Sequence, residues 1–552
     1  MQGGGRVANV SRFTFSGVTN FTGNDDFDLC DTDVFIRGRG EWSGGGGFTL
    51  EGVNRSSEIV VERGGSLSLT GSGERRIRGV GVLNRFVNRG TLSVNLDDPA
   101  SMMDIDNAML LNTDGALVDV TSGTLRSNAF GSAILGRLEG GDWAVGDAGT
   151  VDLLGIQIRE TAVRVELSGA GSSFGAIDSL QKVLATGALA VRDGRDFVTD
   201  ATATEFDVRG ELEVGAGSTF TVSTMLTNIQ GGALRRGRFV VGGTLEVEAG
   251  GISTLGADLV LRGSGSIVDA AGGGDLLAGL ADIDSDGTLE LASGAVFSTA
   301  GDLSLTGALK IGSGSAMTIN GDLGAFQGGV FGGATVELGG DMLADNTTLE
   351  RVEGRLTVGR DGRLLVSDAG GPMDGLASLR RIESGGTFGL VGGRVLDLTP
   401  TDNTVEIAGT LVLGSSSGSG TGSALMADGV AIETGGEVRI EIASLGDFGR
   451  IETAAAAFGG GAPGETAGVL TLVLGEGYSA TLGDEFLVVA LTPGGVINGA
   501  GFGSIAVNGV LGGGLFFEQF IDADGLGVRV VPTPGVGGVM MLGLFVSRRR
   551  RG

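Results

Sequence analysis

An acidic stretch, DIDSDG, has the spacing of a calcium-binding loop. Asp282, Asp284 and Asp286 supply carboxylates at alternate positions, and Gly287 stands at the sixth position. A complete loop of this kind also needs a bidentate carboxylate at its twelfth position, and that position is Ser293. We therefore predict a turn rather than a metal site, both here and at the shorter stretch IDADG near residue 523.

Carboxylates beside an arginine or a lysine could cleave acidic polysaccharides, with the basic residue acting as the base. The candidate acids are Asp193, Asp196, Asp361 and the pair Asp25 and Asp26. The chain has 66 acidic residues at scattered positions, so none of these is singled out. Histidine, the commonest acid–base catalyst and zinc ligand, is absent. We predict no catalytic residue, no metal ligand and no cofactor.

The composition limits the possible classes of function. The 552 residues carry a formal charge of −28, and such an acidic surface repels nucleic acid. Glycine is abundant at 109 residues and proline is rare at 7, which suits short strands joined by tight turns. The single cysteine, Cys30, cannot form an internal disulfide, and we expect it to be a small buried side chain. We predict an all-β protein with no nucleic-acid partner.

A five-residue phrase recurs along the chain: glycine, a small or polar residue, leucine, any residue, and then valine, leucine or isoleucine. This alternation is typical of a strand with one buried face. The leading glycine indicates that each strand follows a turn. The copies begin at Gly90, Gly187, Gly210, Gly243, Gly287, Gly307, Gly354 and Gly409, with looser copies at Gly65 and Ala334.

The spacing of the phrase predicts stacked coils. Gly187 and Gly210 are 23 residues apart, Gly287 and Gly307 are 20 apart, and two longer gaps of 44 and 47 are near twice that length. A period of about 20–24 residues lies in the range of solenoid repeats. We predict a right-handed single-stranded parallel β-helix, a β-solenoid, over residues 1–446, with columns of Leu and Val as its core. The 33-residue gap before Gly243 predicts a longer loop.

A stack of β-sandwiches is the alternative fold. Sandwiches also have short strands at regular spacing, but they usually contain more aromatic residues, more proline and a linker after each domain. The one low-complexity segment, SSSGSGTGS from Ser415, predicts a protruding loop or a hinge. We favour the β-helix because no linker precedes that segment.

Residues 447–530 have longer strand phrases and more phenylalanine than the repeat. A solenoid needs an end unit that protects its open edge, so we predict a C-terminal β cap here. The order of its motifs, LTLVL, GY, LGDEFLVV and GAGFG, resembles the C-terminal end of autotransporter-like β-helix repeat proteins of environmental bacteria. The GTLxV phrases resemble the repeats of that family too, and its members commonly end in a sorting tail.

Residues 531–552 contain a proline motif, an uncharged apolar run and an arginine cluster, in that order. They resemble a PEP-CTERM sorting signal, with Thr533 in place of the glutamate that gives the signal its name. The resemblance implies that an exosortase-type enzyme processes the motif at the inner membrane. By position, the sorting motif is Pro532, Thr533 and Pro534, the membrane segment includes Gly535, Val539, Met540, Met541, Leu542, Leu544, Phe545 and Val546, and the cationic stop is Arg548, Arg549, Arg550 and Arg551.

The apolar run is short for a membrane span. Residues 535–546 number 12, and a helix of that length reaches about 18 Å, against about 30 Å for a bilayer core. The segment can therefore hold a precursor only if the bilayer thins locally or flanking residues reach the interface. The arginines that follow are expected to remain cytoplasmic.

Export also needs a signal peptide, and the first 15 residues lack the apolar region of one. We expect that the chain is a fragment or that its start lies further upstream. Taken together, the sequence predicts an exported, non-catalytic structural or adhesive protein of the cell surface or extracellular matrix, with a membrane-tethered precursor. The expected partners are an exosortase-type enzyme and exopolysaccharide or other surface proteins. A β-helical polysaccharide lyase or glycoside hydrolase is the alternative.

Overall fold

The structure, a computed structural model, is nearly all β, with 56% of residues in strands and 1% in helix. Stacked parallel coils form a β-solenoid of about 17 turns, which confirms the predicted fold class. The chain divides into two compact units, Met1–Ala300 and Gly301–Gly552, which we call unit 1 and unit 2. The residues described are 5–10, 12–53, 55–81, 84–131, 133–134, 136–346, 348–368, 371–399, 404–416, 422–460, 462 and 464–533.

The repeat phrases build one parallel sheet of unit 1, and each strand pairs with the strand of the next coil. The alternating pattern turns Leu and Val inward and the polar residue between them outward. The strands of this sheet are Thr19–Phe21, Arg39–Trp42, Ser66–Leu69, Thr91–Asn95, Leu117–Ser127, Asp142–Leu153, Arg164–Ser168, Ala188–Arg192, Glu211–Val214, Ala233–Val241, Thr254–Arg262 and Thr288–Ala292.

Further sets of stacked strands complete the coils of unit 1. One set is Gly5–Ala8, Phe27–Cys30, Phe48–Gly52, Glu74–Gly81, Met102–Asp106 and Ser173–Phe174. A second is Phe13–Phe15, Asp33–Ile36, Glu58–Val61, Asn84–Asn88 and Ala108–Asn112. A third is Ala133–Ile134, Arg137–Leu138, Glu160–Thr161, Lys182–Val183, Glu205–Val208 and Met225–Leu226. Ile229–Gln230 pairs with Ala233–Val241, and Asp282–Ile283 pairs with Thr254–Arg262. A fourth is Phe197–Val198, Thr219–Val222, Thr244–Val247 and Ser266–Asp269, and Val296–Thr299 follows them in the chain.

Two columns of apolar side chains form the core beneath the repeat sheet of unit 1. Members of each column are partners in register from coil to coil, and all are at most 5% exposed. One column is Leu67, Leu92, Val118, Trp143, Val165, Leu189, Leu212, Phe239, Leu259 and Leu289. The other is Leu69, Val94, Val120, Val145, Leu167, Val191, Val214, Val241, Leu261 and Leu291.

The phrase at Gly243 does not belong to the same sheet as its neighbours in sequence. Its strand, Thr244–Val247, pairs with Thr219–Val222 in a different strand set. The partner of Glu211–Val214 is instead Ala233–Val241, which lacks the glycine-leucine pattern. The 33-residue gap therefore reflects a change of face within the coil, and the predicted longer loop was wrong.

Unit 2 repeats the same construction. Its repeat sheet is Ser304–Leu305, Ala308–Ile311, Thr335–Leu338, Arg355–Val358, Thr387–Leu390, Thr410–Leu413, Glu437–Ser444, Val469–Leu474 and Ser504–Asn508, with Asp447–Phe448 beside it. A shorter set is Ala316–Ile319, Asp341–Ala344, Arg363–Asp368 and Gly371–Asp374. The other strands are Phe326–Gln327, Val330–Phe331, Arg351–Val352, Arg381–Ile382, Val395–Asp397, Thr404–Ile407, Ala424–Ile432, Arg450–Phe458, Glu485–Asn498, Leu515–Ile521 and Gly525–Pro532.

Parallel coils continue past residue 447, where we predicted the cap to begin. Val469–Leu474 stacks in parallel on Glu437–Ser444, and Ser504–Asn508 stacks on Val469–Leu474. Antiparallel pairing follows, because Gly525–Pro532 runs against Glu485–Asn498 and Leu515–Ile521. The stretch predicted as a cap thus holds both kinds of pairing.

The glycines that lead the repeat phrases allow successive coils to approach closely. A Cβ atom on Gly210 would lie 2.0 Å from the carbonyl oxygen of Gly187, and one on Gly90 would lie 2.2 Å from that of Gly65. Neither Gly210 nor Gly90 has a positive φ. Turns precede the strands as predicted, but the glycine is required by the coil below rather than by the turn itself.

The expectation for the single cysteine is confirmed, because Cys30 is a buried free thiol, 6% exposed. The stretch SLQKVLA from Ser179 contains the strand Lys182–Val183, and the nearby 3-10 turn Gly175–Ile177 spans three residues.

Candidate functional site

Outward-facing positions of the repeat strands bring charged side chains of unit 1 together. Glu166, Ala190 and Glu213 are consecutive partners in register on three successive coils. They alternate with the buried Leu and Val positions, so they face away from the core. Ala190 is nevertheless 1% exposed, which shows that longer neighbouring side chains cover it.

Glu213 lies at the centre of an ion-pair network, and its side chain is 9% exposed. Arg192 donates from Nη2 to Oε2 of Glu213, and Arg262 donates from Nη1 to Oε1 over 3.2 Å. Nη2 of Arg164 lies 3.9 Å from Oε2. Arg164 and Arg192 also contact Glu166, at 2.9 and 3.2 Å. A buried carboxylate destabilises the fold unless it is paired and hydrogen-bonded, and these contacts compensate for the burial of Glu213.

A groove of about 470 Å³ opens beside this network. Register places Arg192, Gly215, Gly242 and Arg262 at the same position of four successive coils, because each follows a paired Val or Leu. Two glycines thus form the floor between two arginines that stand three coils apart. At about 4.8 Å per coil, that separation is roughly 14 Å along the stack.

Turn residues form the rim of the groove, and one of them is Asp193, a predicted candidate acid. Asp193 has a φ of +56°, and its carboxylate accepts a hydrogen bond from the hydroxyl of Ser168. Ser293, also on the rim, has a φ of +54°. Asp196, three residues further along the chain, accepts a hydrogen bond from the Thr219 amide at 2.8 Å. The stretch DGRD therefore forms a turn that borders the groove.

The chemistry of this cluster favours anion binding over acid–base catalysis. A glycoside hydrolase needs a protonated carboxyl beside a carboxylate, whereas both Glu166 and Glu213 are paired with guanidinium groups. An arginine that acts as a base needs a lowered pKa. The pKa of Arg192 is raised instead, because Glu213 accepts a hydrogen bond from it, although burial opposes this effect. Guanidinium groups are pure donors whose planar fork matches a carboxylate.

Asp119, which lies on the same face of the coils, has a carboxyl group whose pKa is raised. It lies two coils before Glu166, with Ala144 between them in register. Burial raises the pKa of Asp119, and the nearby charge of Glu166 adds to this, while a hydrogen bond from Thr121 opposes it. A carboxyl with a raised pKa near a carboxylate is the pattern of a general acid and its partner.

The acidic stretches with calcium-like spacing form turns. Asp284 accepts a hydrogen bond from the Asp286 amide at 3.0 Å and lies 3.5 Å from Arg235. Asp522 accepts one from the Asp524 amide at 2.9 Å. Among the described residues, no group of three or more His, Cys, Asp or Glu side chains could hold a metal ion.

The other candidate acids lie apart from the groove. Asp361 accepts a hydrogen bond from the Ser313 hydroxyl at 3.3 Å in unit 2. Asp26, next to Asp25 near the start of unit 1, accepts one from the Gly47 amide at 2.7 Å. None of these three acids lines the groove.

The sorting motif begins at the end of the last strand. Pro532 is the final residue of Gly525–Pro532, and Thr533 donates its amide hydrogen to the carbonyl oxygen of Gly514 at 2.6 Å. Both are exposed. Pro534, the predicted membrane segment over residues 535–546 and the four arginines at 548–551 lie outside the described residues.

Sequence reasoning missed Arg192, Glu213 and Arg262, since 21 residues separate the first two and 49 the last two. One signal was present. Two strand phrases are followed by arginine, as GALAVR and ADLVLR, whereas the two coils between them have glycine there, as GELEVG and RFVVG. Recognising the set requires knowing which strands stack.

No protein-family model matches this sequence, and no curated protein is significantly similar to it. In the part of the chain that the structure covers, no helix is both long enough and apolar enough to cross a membrane.

Proposed function

We propose that this chain is a structural and adhesive protein of the cell surface or extracellular matrix, exported and non-catalytic. The observation that carries the proposal is the pair of buried columns in unit 1, which run through ten successive coils with no break in register. Such a stack presents a long, regular outer surface, as an adhesive protein needs. The outward-facing carboxylates are paired with arginines. This supports a surface that binds a ligand rather than one that catalyses a reaction.

The proposal is tested by incubating the purified chain with a panel of acidic and neutral polysaccharides. We expect the polymers to be retained and to keep their length. Release of unsaturated or reducing ends would show that the protein is an enzyme and would overturn the non-catalytic proposal.

Sorting through the C-terminal motif is the second part of the proposal, with an exosortase-type enzyme and the inner membrane as partners. Its support is the exposure of Pro532, the last residue of the final strand, and of Thr533, which follows it. Co-expression of the chain, fused behind a cleavable secretory signal peptide, with an exosortase-type enzyme should give a product that lacks the residues after the motif, as measured by intact mass. Pro532→Ala should block this processing and Pro99→Ala, in an exposed turn, should not; a wild-type chain that keeps its tail would contradict the proposal.

A polysaccharide lyase or glycoside hydrolase is the second candidate, and Asp119 is the observation in its favour. If Asp119 is a general acid with Glu166 as its partner, the wild type cleaves a polysaccharide and Asp119→Asn does not. Absence of cleavage by the wild type across the panel would remove this candidate.

A further inference from the structure

We propose that the groove lined by Arg192 and Arg262 binds carboxylate groups of an acidic polysaccharide, with the sugar chain lying over Gly242. This inference rests on the proposed adhesive function and names the class of ligand. It concerns unit 1 alone.

Two successive coils carry glycine, at positions 215 and 242, where the flanking coils carry arginine. The side chain of Arg192 packs over Gly215, where an added Cβ would lie 3.0 Å from Cγ of Arg192. A Cβ atom on Gly242 would contact the Ala216 amide nitrogen at 3.4 Å and the Cβ atom of Arg262 at 3.6 Å, which are ordinary van der Waals distances. Glycine at 242 is therefore not required by the packing of the coils, unlike Gly210, where a Cβ would be 2.0 Å from a carbonyl oxygen. Gly242 lines the groove, and a side chain longer than a methyl group at this position would reach into it.

Arg262 has hydrogen-bonding capacity left over. Of its guanidinium nitrogens, Nη1 is bound to Glu213, and within the described residues neither Nε nor Nη2 has a partner. Its side chain is 45% exposed and lines the groove. The edge formed by Nε and Nη2 can hold a carboxylate through two parallel hydrogen bonds.

Arg192 forms the opposite side of the groove. Its Nη1 and Nη2 atoms are bound to Glu166 and Glu213, which fix the guanidinium in place. A fixed cation presents its charge to a ligand without losing further side-chain entropy on binding. Arg262 then offers its unpaired donor edge and Arg192 a fixed charge to acidic groups of one extended chain.

The overall charge of −28 restricts which anion can bind. Duplex nucleic acid carries one charge per about 1.7 Å and is strongly repelled. A polyuronate carries one charge per sugar, so the long-range repulsion is weaker. Raising the ionic strength from about 0.01 M to 0.15 M shortens the screening length from about 30 Å to 8 Å, which reduces the repulsion between the acidic protein and the polymer. We therefore expect the affinity to stay the same or to increase over that range.

The test measures binding of polygalacturonate to the full chain by calorimetry, with dextran sulfate and neutral dextran as separate arms. Arg262→Met removes the donor edge and should weaken polygalacturonate binding about tenfold. Gly242→Leu fills the groove and should weaken it at least as much. Arg363→Met, which removes an exposed arginine of unit 2 paired with Asp341, is the matched control and should bind as the wild type does.

Several outcomes would overturn the inference. Wild-type affinity in both Arg262→Met and Gly242→Leu would show that the groove is not the site, even if the chain remains an adhesive protein. Equal affinity for dextran sulfate, or for neutral dextran, would contradict recognition of carboxylates. Circular dichroism of each variant identifies misfolding, and Arg262→Met carries the test if Gly242→Leu does not fold. Cleavage of the polymer would instead contradict the proposed function.

Discussion

Arg262 donates a hydrogen bond from Nη1 to Oε1 of Glu213 over 3.2 Å, although 49 residues separate them in the chain. They meet because Glu211–Val214, Ala233–Val241 and Thr254–Arg262 stack in register on successive coils. The contact is therefore a product of the stacking. The same stacking places Arg192 on the other side of Glu213 and opens the groove between them.

Leu212→Ala should lower the stability of the fold by about 2–5 kcal/mol, because the residue is fully buried and its removal leaves a cavity in the column. Urea unfolding followed by circular dichroism measures the change. Val198→Ala is the control, since Val198 is 58% exposed, and it should shift stability by less than about 0.5 kcal/mol. Equal effects of the two substitutions would contradict the buried column.

Gly210→Ala should also be destabilising, by about 1–3 kcal/mol, because the added Cβ would lie 2.0 Å from the Gly187 carbonyl oxygen. Gly250→Ala is the matched control, as nothing lies within 4 Å of its Cβ position. The measurement is the thermal unfolding midpoint. If both variants unfold at the wild-type temperature, the close approach of successive coils is wrong.

The contrast between Gly210 and Gly243 shows how far the sequence predicts the fold. Both lead a strand phrase, and in both cases the strand was predicted correctly, because the alternation of apolar and polar residues depends on local structure. The sheet to which each strand belongs depends on coil length, and the coil between them contains a strand that lacks the phrase. The periodicity of apolar residues predicts the class of fold, whereas the register between strands is known only from the structure.

Stability should fall in acid partly through Asp104, whose side chain is 5% exposed. A hydrogen bond from Arg126 at 3.0 Å lowers the pKa of Asp104, against the opposing effect of burial. A lowered pKa in the folded chain stabilises the fold above the unfolded value of about 3.9, and this contribution is lost as the pH falls through the lower folded value.

Asp104→Asn tests this dependence on pH. At pH 7 the variant should be less stable by about 1–3 kcal/mol, since Arg76 and Arg126 lose their carboxylate. Between about pH 5 and pH 3 its stability should fall less steeply than that of the wild type. The measurement is the urea unfolding midpoint of both proteins across this pH range. Midpoints that fall in parallel for the two proteins would refute the role of Asp104.

Tyr478 should ionise at a higher pH in the folded chain than in urea. Burial and then the hydrogen bond to Asp484, at 2.8 Å, raise the pKa of Tyr478. It is the only tyrosine, so the absorbance of phenolate reports on it alone. Asp484→Asn should bring the midpoint down toward the ordinary value of about 10. An identical midpoint in native and urea-unfolded protein would contradict the contact.

The groove could not be predicted from the sequence for a physical reason. Arg192 and Arg262 are two of many arginines, and each looks like a solvated side chain when read alone. Their positions beside the same groove depend on three successive strand pairings. A strand in any of these pairings could have belonged to a different sheet, as the phrase at Gly243 shows. Of the candidate acids named from the sequence, only Asp193 lines the groove.

The most direct test of the account is light scattering on polygalacturonate after long incubation with the full chain. We expect a complex of protein and polymer in which the polymer keeps its original molar mass once the protein is removed. A molar mass of the polymer that falls with time would contradict this expectation, because the protein would then be cleaving the sugar chain rather than binding to it.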